Sequence, residues 1–167
     1  MSEEVKYTVF HTSMGWVGIL SSAQGLLRTT LPQHSAQQAR HLLGESSNYA
    51  VWSPNLFDGL MECFRIYLSG GKITFPDQLD LSGATPFQRR VWEITRLIPY
   101  GETRSYTWVA QQVDKPRVAR AVGQALARNP LPIIIPCHRV LTIDGRLGGF
   151  GGGVEMKRRL LHLEASA

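Results

Sequence analysis

Short alternating runs open the chain, and longer helical stripes follow them. Tyr7-Thr8-Val9-Phe10 and Trp16-Val17-Gly18-Ile19-Leu20 flank the turn-forming residues 11–15, which predicts two strands of a hairpin. Residues 26–31, after Gln24-Gly25, predict a third strand and so a small antiparallel sheet. Residues 33–43 predict a helix that ends near Gly44. Ser53-Pro54 has the form of a helix start, with serine as N-cap and proline at the first helical position. Leu56, Phe57, Leu60, Phe64, Tyr67 and Leu68 then form one apolar stripe that stops at Gly70-Gly71. Cys63 falls among them and is expected in the core, where cysteine is most often found. Residues 73–81 alternate around Pro76, which predicts an edge strand or an extended linker.

Beyond a boundary placed at 81–84 the pattern is helical. Thr85-Pro86-Phe87-Gln88 predicts a capping box, and Phe87, Val91, Ile94, Leu97 and Ile98 form the buried side of that helix. Ser105 predicts the cap of a short helix through Val113, with Tyr106, Val109 and Ala110 on one side. After the turn Asp114-Lys115-Pro116, a further helix is expected over 116–127. Two short helices about a tight turn suggest a helix-turn-helix. The second is rich in alanine and glycine, with Arg120 nearly alone among small residues. They could approach a narrow surface or pack on protein, and spacing does not choose. The last helix, 154–164, has Lys157, Arg158 and Arg159 on its outer side and Leu160, Leu161 and Leu163 inward. Glu164 lies near its end, where the helix dipole does not favour a carboxylate. The expected fold class is α+β. A small antiparallel sheet with helices occupies 1–83 in a supporting domain, and a mainly helical domain with the helix-turn-helix occupies 84–167.

Composition changes the picture in three places. With 43% hydrophobic residues in a chain of 167, a core can form and global disorder is excluded. Only two cysteines occur, which excludes a disulfide scaffold, and the five histidines do not combine with them at zinc-finger spacing. No metal or cofactor is therefore expected. Without a leader pattern or an apolar run near membrane-spanning length, a soluble, cytoplasmic protein is expected. Charge is uneven: residues 1–83 hold five Lys and Arg against seven Asp and Glu, a balance of −2, while 84–167 hold thirteen against six, a balance of +7. A basic half suggests an anionic partner with nucleic acid foremost, the alternative being a merely basic surface.

The chemistry centres on Ile133-Ile134-Ile135-Pro136-Cys137-His138-Arg139-Val140. Three β-branched apolar residues predict a buried strand, and Pro136, lacking an N–H, stops it. Cys137 then stands at the end of a rigid element with His138 beside it. A cysteine after an apolar run is ordinarily inert core. A nucleophilic one needs its proton drawn off, since the thiol pKa is about 8.5, and an imidazole suits that task.

The flanks go further. Asn129-Pro130-Leu131-Pro132 precedes this run and Gly148-Gly149-Phe150-Gly151-Gly152-Gly153 follows it. The string NPLPIIIPCHRV with its glycine-rich loop resembles the active-site signature of the O6-alkylguanine-DNA alkyltransferases, and the resemblance spans about 85–164. It implies direct reversal of DNA damage. The alkyl group of O6-alkylguanine, or of O4-alkylthymine, passes irreversibly to Cys137 in a single turnover. His138 is implied as the base, acting through a water, with Glu164 orienting the imidazole. Such a pairing predicts a Cys137 thiol titrating below the ordinary value. Tyr106 is implied to hydrogen-bond the guanine ring, and Asn129 to hold the turn before the cysteine.

By the same resemblance the partner is double-stranded DNA carrying O6-alkylguanine. A monomer binds it through the minor groove, and cooperative binding is left open. Arg120 is implied to fill the gap left by a flipped nucleotide, with Ala119 and Gly123 in the close-approaching helix and Thr107, Lys115 and Gln88 on the DNA backbone. Val140, Phe150, Gly151 and Lys157 are implied around the flipped base. The family often has tyrosine at Phe150 and serine at Gly151. A longer basic side chain occurs in one relative at Ala127. The rival reading is a non-catalytic alkyltransferase-like lesion-binding protein. Those replace the reactive cysteine, whereas this chain keeps Cys137. A transcription regulator would favour a polar recognition helix, and a cysteine hydrolase normally has its cysteine and histidine far apart in sequence.

Overall fold

The computed structural model describes residues 4–113, 118–148 and 153–166. The chain divides into two units, Met1–Ser82 and Gly83–Ala167.

In the first unit β1 (Lys6–Thr12) and β2 (Gly15–Ser22) form the hairpin, in register from Lys6 opposite Ser21 to Thr12 opposite Gly15. β3 (Gly25–Thr29) runs antiparallel to β2. A fourth strand, β4 (Val51–Trp52), lies parallel to β1, so the sheet has the order β3-β2-β1-β4 and is mixed. The parallel pairing follows from a crossover that contains α1 (Ala36–Leu42), capped by Ser35, whose hydroxyl accepts from the Gln38 N–H.

Both faces of the sheet are covered. Tyr7 and Leu20 pack with Leu43 at the end of α1. On the opposite pleat Phe10 meets Phe64 of α2 (Asp58–Leu68), with ring centres 6.0 Å apart. Double coverage explains why β2 is buried almost continuously instead of alternating. Ser53-Pro54 does not start α2 directly: a 3₁₀ turn, Pro54–Phe57, intervenes, and the Ser53 hydroxyl donates to the Val51 carbonyl. The tighter turn moves Leu56 off the stripe, leaving it 58% exposed. Cys63 is half-buried and not a core residue. In the extended segment 73–81, Leu79 bridges to Leu26, with Leu26 N–H donating to Gln78 O at 2.9 Å.

The second unit is helical. α3 (Pro86–Arg96) opens with a complete capping box: the Thr85 hydroxyl accepts from the Gln88 N–H at 3.1 Å, and the Gln88 side chain accepts from the Thr85 N–H at 3.0 Å. Val91, Trp92, Ile94 and Thr95 are buried, whereas Leu97, at the C-cap, is 73% exposed and leaves the expected stripe. β5 (Arg104–Ser105) pairs in parallel with β6 (Val140–Leu141). α4 (Tyr106–Gln112) is capped by Ser105, and α5 (Ala119–Ala127) packs on α3 and α4. The Trp92 indole N–H donates to the Ala125 carbonyl at 2.8 Å and ties α5 to α3. α6 (Val154–Ala165) closes the unit.

Ile133-Ile134-Ile135 is buried but is not a strand. It forms a tight turn in which Ile135 N–H donates to Leu131 O at 2.8 Å and Ile133 adopts a φ of 77°. Prolines at 132 and 136 remove ladder donors at both ends, so the run cannot join a sheet. A β-branched residue at positive φ costs on the order of 1–3 kcal/mol, and such strain gathers at functional sites.

Candidate active site

Cys137 begins a 3₁₀ turn, Cys137–Arg139, immediately after the strained isoleucine run. Its N–H donates to Ile135 O at 2.7 Å. Asn129 holds the entry: its side-chain oxygen accepts from the Leu131 N–H at 2.9 Å, and its amide donates to Ile135 O at 2.8 Å. The same amide lies 3.1 Å from the Cys137 sulfur and donates to it. One asparagine therefore fixes the backbone of the turn and the position of the thiol.

His138 and Glu164 are both buried and meet at 2.5 Å between Nε2 and Oε2. Glu164 Oε1 also accepts from the Gly101 N–H at 3.0 Å. Arg139 spans the carboxylate, with Nε 2.9 Å from Oε1 and Nη2 3.1 Å from Oε2. Its remaining nitrogen, Nη1, donates to the Ile98 carbonyl at 2.8 Å. This guanidinium supplies the positive charge that the end of α6 does not give a carboxylate.

Lys157 is 0% exposed, not on the outer side of α6. Its ammonium donates to Val140 O at 2.7 Å and to Leu147 O, and it lies 3.5 Å from the Tyr106 hydroxyl. Burial brings its pKa down to about 8, although the nearby Cys137 works the other way. Tyr106 caps this corner of the site. A Cβ on Gly148 would fall 2.9 Å from its hydroxyl, so the backbone at 148, with a φ of 68°, can approach the phenol only as glycine.

Burial dominates the titration of the site. It pushes the Cys137 thiol up, opposed by the Asn129 hydrogen bond and by the Lys157 charge. The expected low-titrating thiol is thus corrected: desolvating a thiolate costs more than these neighbours return. Burial pushes His138 down, with Arg139 and Lys157 acting in the same direction and Glu164 against it. An imidazole that is neutral and donates from Nε2 to a carboxylate carries its lone pair on Nδ1. Tyr106 is pushed up, by burial first and by Cys137 second.

The chain is similar to known proteins along most of its length. Residues 86–166 match the family model described as 6-O-methylguanine DNA methyltransferase, DNA binding domain. A Bacillus subtilis protein named methylated-DNA–protein-cysteine methyltransferase, constitutive, is 36% identical over 159 residues, which are 95% of this chain and 94% of that one. This chain belongs to the methylated-DNA–protein-cysteine methyltransferase family. A Mycobacterium tuberculosis member is 49% identical over 117 residues, 69% of this chain and 70% of its own. The crystal structure of Mycobacterium tuberculosis OGT in complex with DNA superposes with a TM-score of 0.82 at 38% identity, covering 96% of this chain and 93% of that one.

Among methyltransferase-family residues read from the sequence, Cys137, His138, Glu164, Asn129, Tyr106, Val140 and Lys157 come together here. The Val140 carbonyl is engaged by Lys157. Arg120 projects into solvent from α5, where Val122, Ala125 and Leu126 are buried. Gly123 instead faces inward, and a Cβ there would lie 3.8 Å from the Tyr106 ring. Ala119 and Thr107 are half-buried, as is Gln88, whose side chain is occupied in the capping box. Lys115, Phe150 and Gly151 lie outside the described residues. Sequence reading did not single out Arg139. Its one signal is an arginine that follows His138 between the apolar runs 133–137 and 140–141. Among the described residues no group of acidic, histidine and cysteine side chains is arranged to hold a metal ion, and no helix is long and apolar enough to cross a membrane.

Proposed function

We propose that this chain repairs DNA by moving the alkyl group of O6-alkylguanine, or of O4-alkylthymine, to Cys137, once per molecule. The observation that carries the reading is the buried Cys137 thiol, held by the Asn129 amide at 3.1 Å and followed directly by the His138–Glu164 pair. In the reaction a sulfur–carbon bond forms and the carbon–O6 bond breaks. The thiol proton goes to His138, relayed through a water, while Glu164 orients the imidazole through Nε2. The departing guanine gains a proton from Tyr106. Lys157, 3.5 Å from that hydroxyl, offsets the charge left on the phenol.

The high-titrating thiol gives this sequence a direction. Burial favours the protonated Cys137 thiol in the free protein, and on this reading the proton leaves as substrate fills the site. The thioether has no good leaving group, so the alkyl group stays on Cys137.

A base within a duplex cannot reach a buried thiol, so the nucleotide is flipped. α4 and α5 serve as the helix-turn-helix, with Arg120 entering the stack and the small residues of α5 allowing close approach to the minor groove. Residues 84–167 carry both binding and chemistry, and residues 1–83 support them. The test is a count of repaired guanines after incubation with excess duplex containing one O6-methylguanine. One repaired guanine per chain is expected. Continued turnover overturns the single-use mechanism, and none at all overturns the reading.

A further inference from the structure

Glu164 is the hub of the site, yet two different groups claim it. His138 approaches Oε2, while Arg139 takes both oxygens and anchors itself on the Ile98 carbonyl. A bidentate guanidinium–carboxylate pair is geometrically rigid, and when buried it is close to neutral as a unit. An imidazole beside a lone buried carboxylate would be drawn into its protonated form. Beside a carboxylate whose charge is already matched, it is not. The distinction matters because a base must be unprotonated before it can act.

We infer that Arg139 is a positioning residue for the proton transfer: by matching the charge of Glu164 it keeps His138 a neutral imidazole, with Nδ1 as the atom that receives the thiol proton. This rests on the reading of Cys137 as acceptor and His138 as base. The groups facing the pair are Lys157 from α6, whose ammonium in turn reaches Tyr106 of α4, Tyr100 in the turn after α3, and Cys137 and Arg139 from the same 3₁₀ turn as His138. Burial, Arg139 and Lys157 all lower the His138 pKa, and Glu164 alone among these raises it. Taking away Arg139 therefore unbalances the site in one known direction.

The sign follows. With Arg139 gone, the uncompensated carboxylate favours imidazolium, and an opposite charge at such range shifts a pKa by about one to three units. The acid limb of the repair rate then moves to higher pH, so the loss is larger at pH 6 than at pH 8. A merely structural arginine would lower the rate equally at every pH.

The experiment is NMR titration of imidazole-labelled full-length protein, run beside repair rates on a duplex with one O6-methylguanine, for wild type, R139Q and R139K. Wild-type His138 is expected to stay neutral to below pH 6.5, the ordinary value. In R139Q its titration and the acid limb move up together by about one unit or more. R139K, which keeps the charge, restores a limb close to wild type even if the rate stays lower. An imidazolium in wild type at pH 7 overturns the inference, and this needs no variant to fold. So does an R139Q rate that falls uniformly with pH while His138 titrates as before. Should wild type fail to take up the methyl group, the proposed function falls, and the His138 titration still decides the role of Arg139.

Discussion

Two thiols sit in this chain, Cys63 on α2 of the first unit and Cys137 at the head of a 3₁₀ turn in the second, and burial pushes both upward. What else faces them differs. Asp77 and Glu62 push Cys63 further in the same direction. Asn129, Lys157 and backbone N–H groups pull Cys137 back. Cys63 is the more accessible of the two, and Cys137 is buried. If Cys137 is the acceptor, as proposed, exposure does not select the nucleophile. A thiol surrounded by carboxylates has nothing to stabilise a thiolate. On the proposed reading, a thiol beside an amide donor and an ammonium is latent and becomes reactive when a substrate completes the site.

The largest effect expected is from Cys137→Ser, which removes alkyl transfer while DNA binding stays within a few-fold, because the proposed reading puts affinity in α5 and not in the thiol. Transfer that survives, or moves to Cys63, breaks the contrast between the two thiols. Next comes Arg120→Ala. Flipping costs a few kcal/mol, so repair of duplex should slow by roughly tenfold or more while reaction with free O6-benzylguanine changes little. Equal losses on both substrates would place Arg120 in the fold and not in the duplex. Methylation of Cys137 should destabilise the protein by about 1–3 kcal/mol, since the sulfur lies in a packed site. A methylated form that melts at or above the temperature of the free form contradicts that packing. Smallest is Cys63→Ser, expected to leave the repair rate unchanged and stability within about 1 kcal/mol, as for a partly exposed position.

How far the sequence reached depended on the kind of signal. Local chemistry was readable: the Thr85–Gln88 capping box, the Ser105 cap and the Tyr7–Leu20 hairpin form where the residue pattern puts them. Signals that depend on tertiary surroundings were not. Three isoleucines look alike whether they enter a sheet or are folded into a turn. Only the flanking prolines and the Asn129 clamp decide for the turn. Helical spacing puts Lys157 beside Arg158, outward. The carbonyls of Val140 and Leu147, brought over by the 140–148 segment, give its ammonium a buried place that spacing cannot foresee. At the site, the string around Cys137 pointed to the proposed acceptor and its neighbour, but not to the charge arithmetic. That required Arg139 on Glu164, and no linear pattern relates residue 139 to residue 164.

The most direct test of the contrast between the two cysteines is peptide mass mapping after wild-type protein meets a duplex with one O6-methylguanine. One added methyl on the peptide containing Cys137, and none on the peptide containing Cys63, is the predicted result. A methyl on Cys63, or on neither thiol while the DNA is nonetheless repaired, would contradict it.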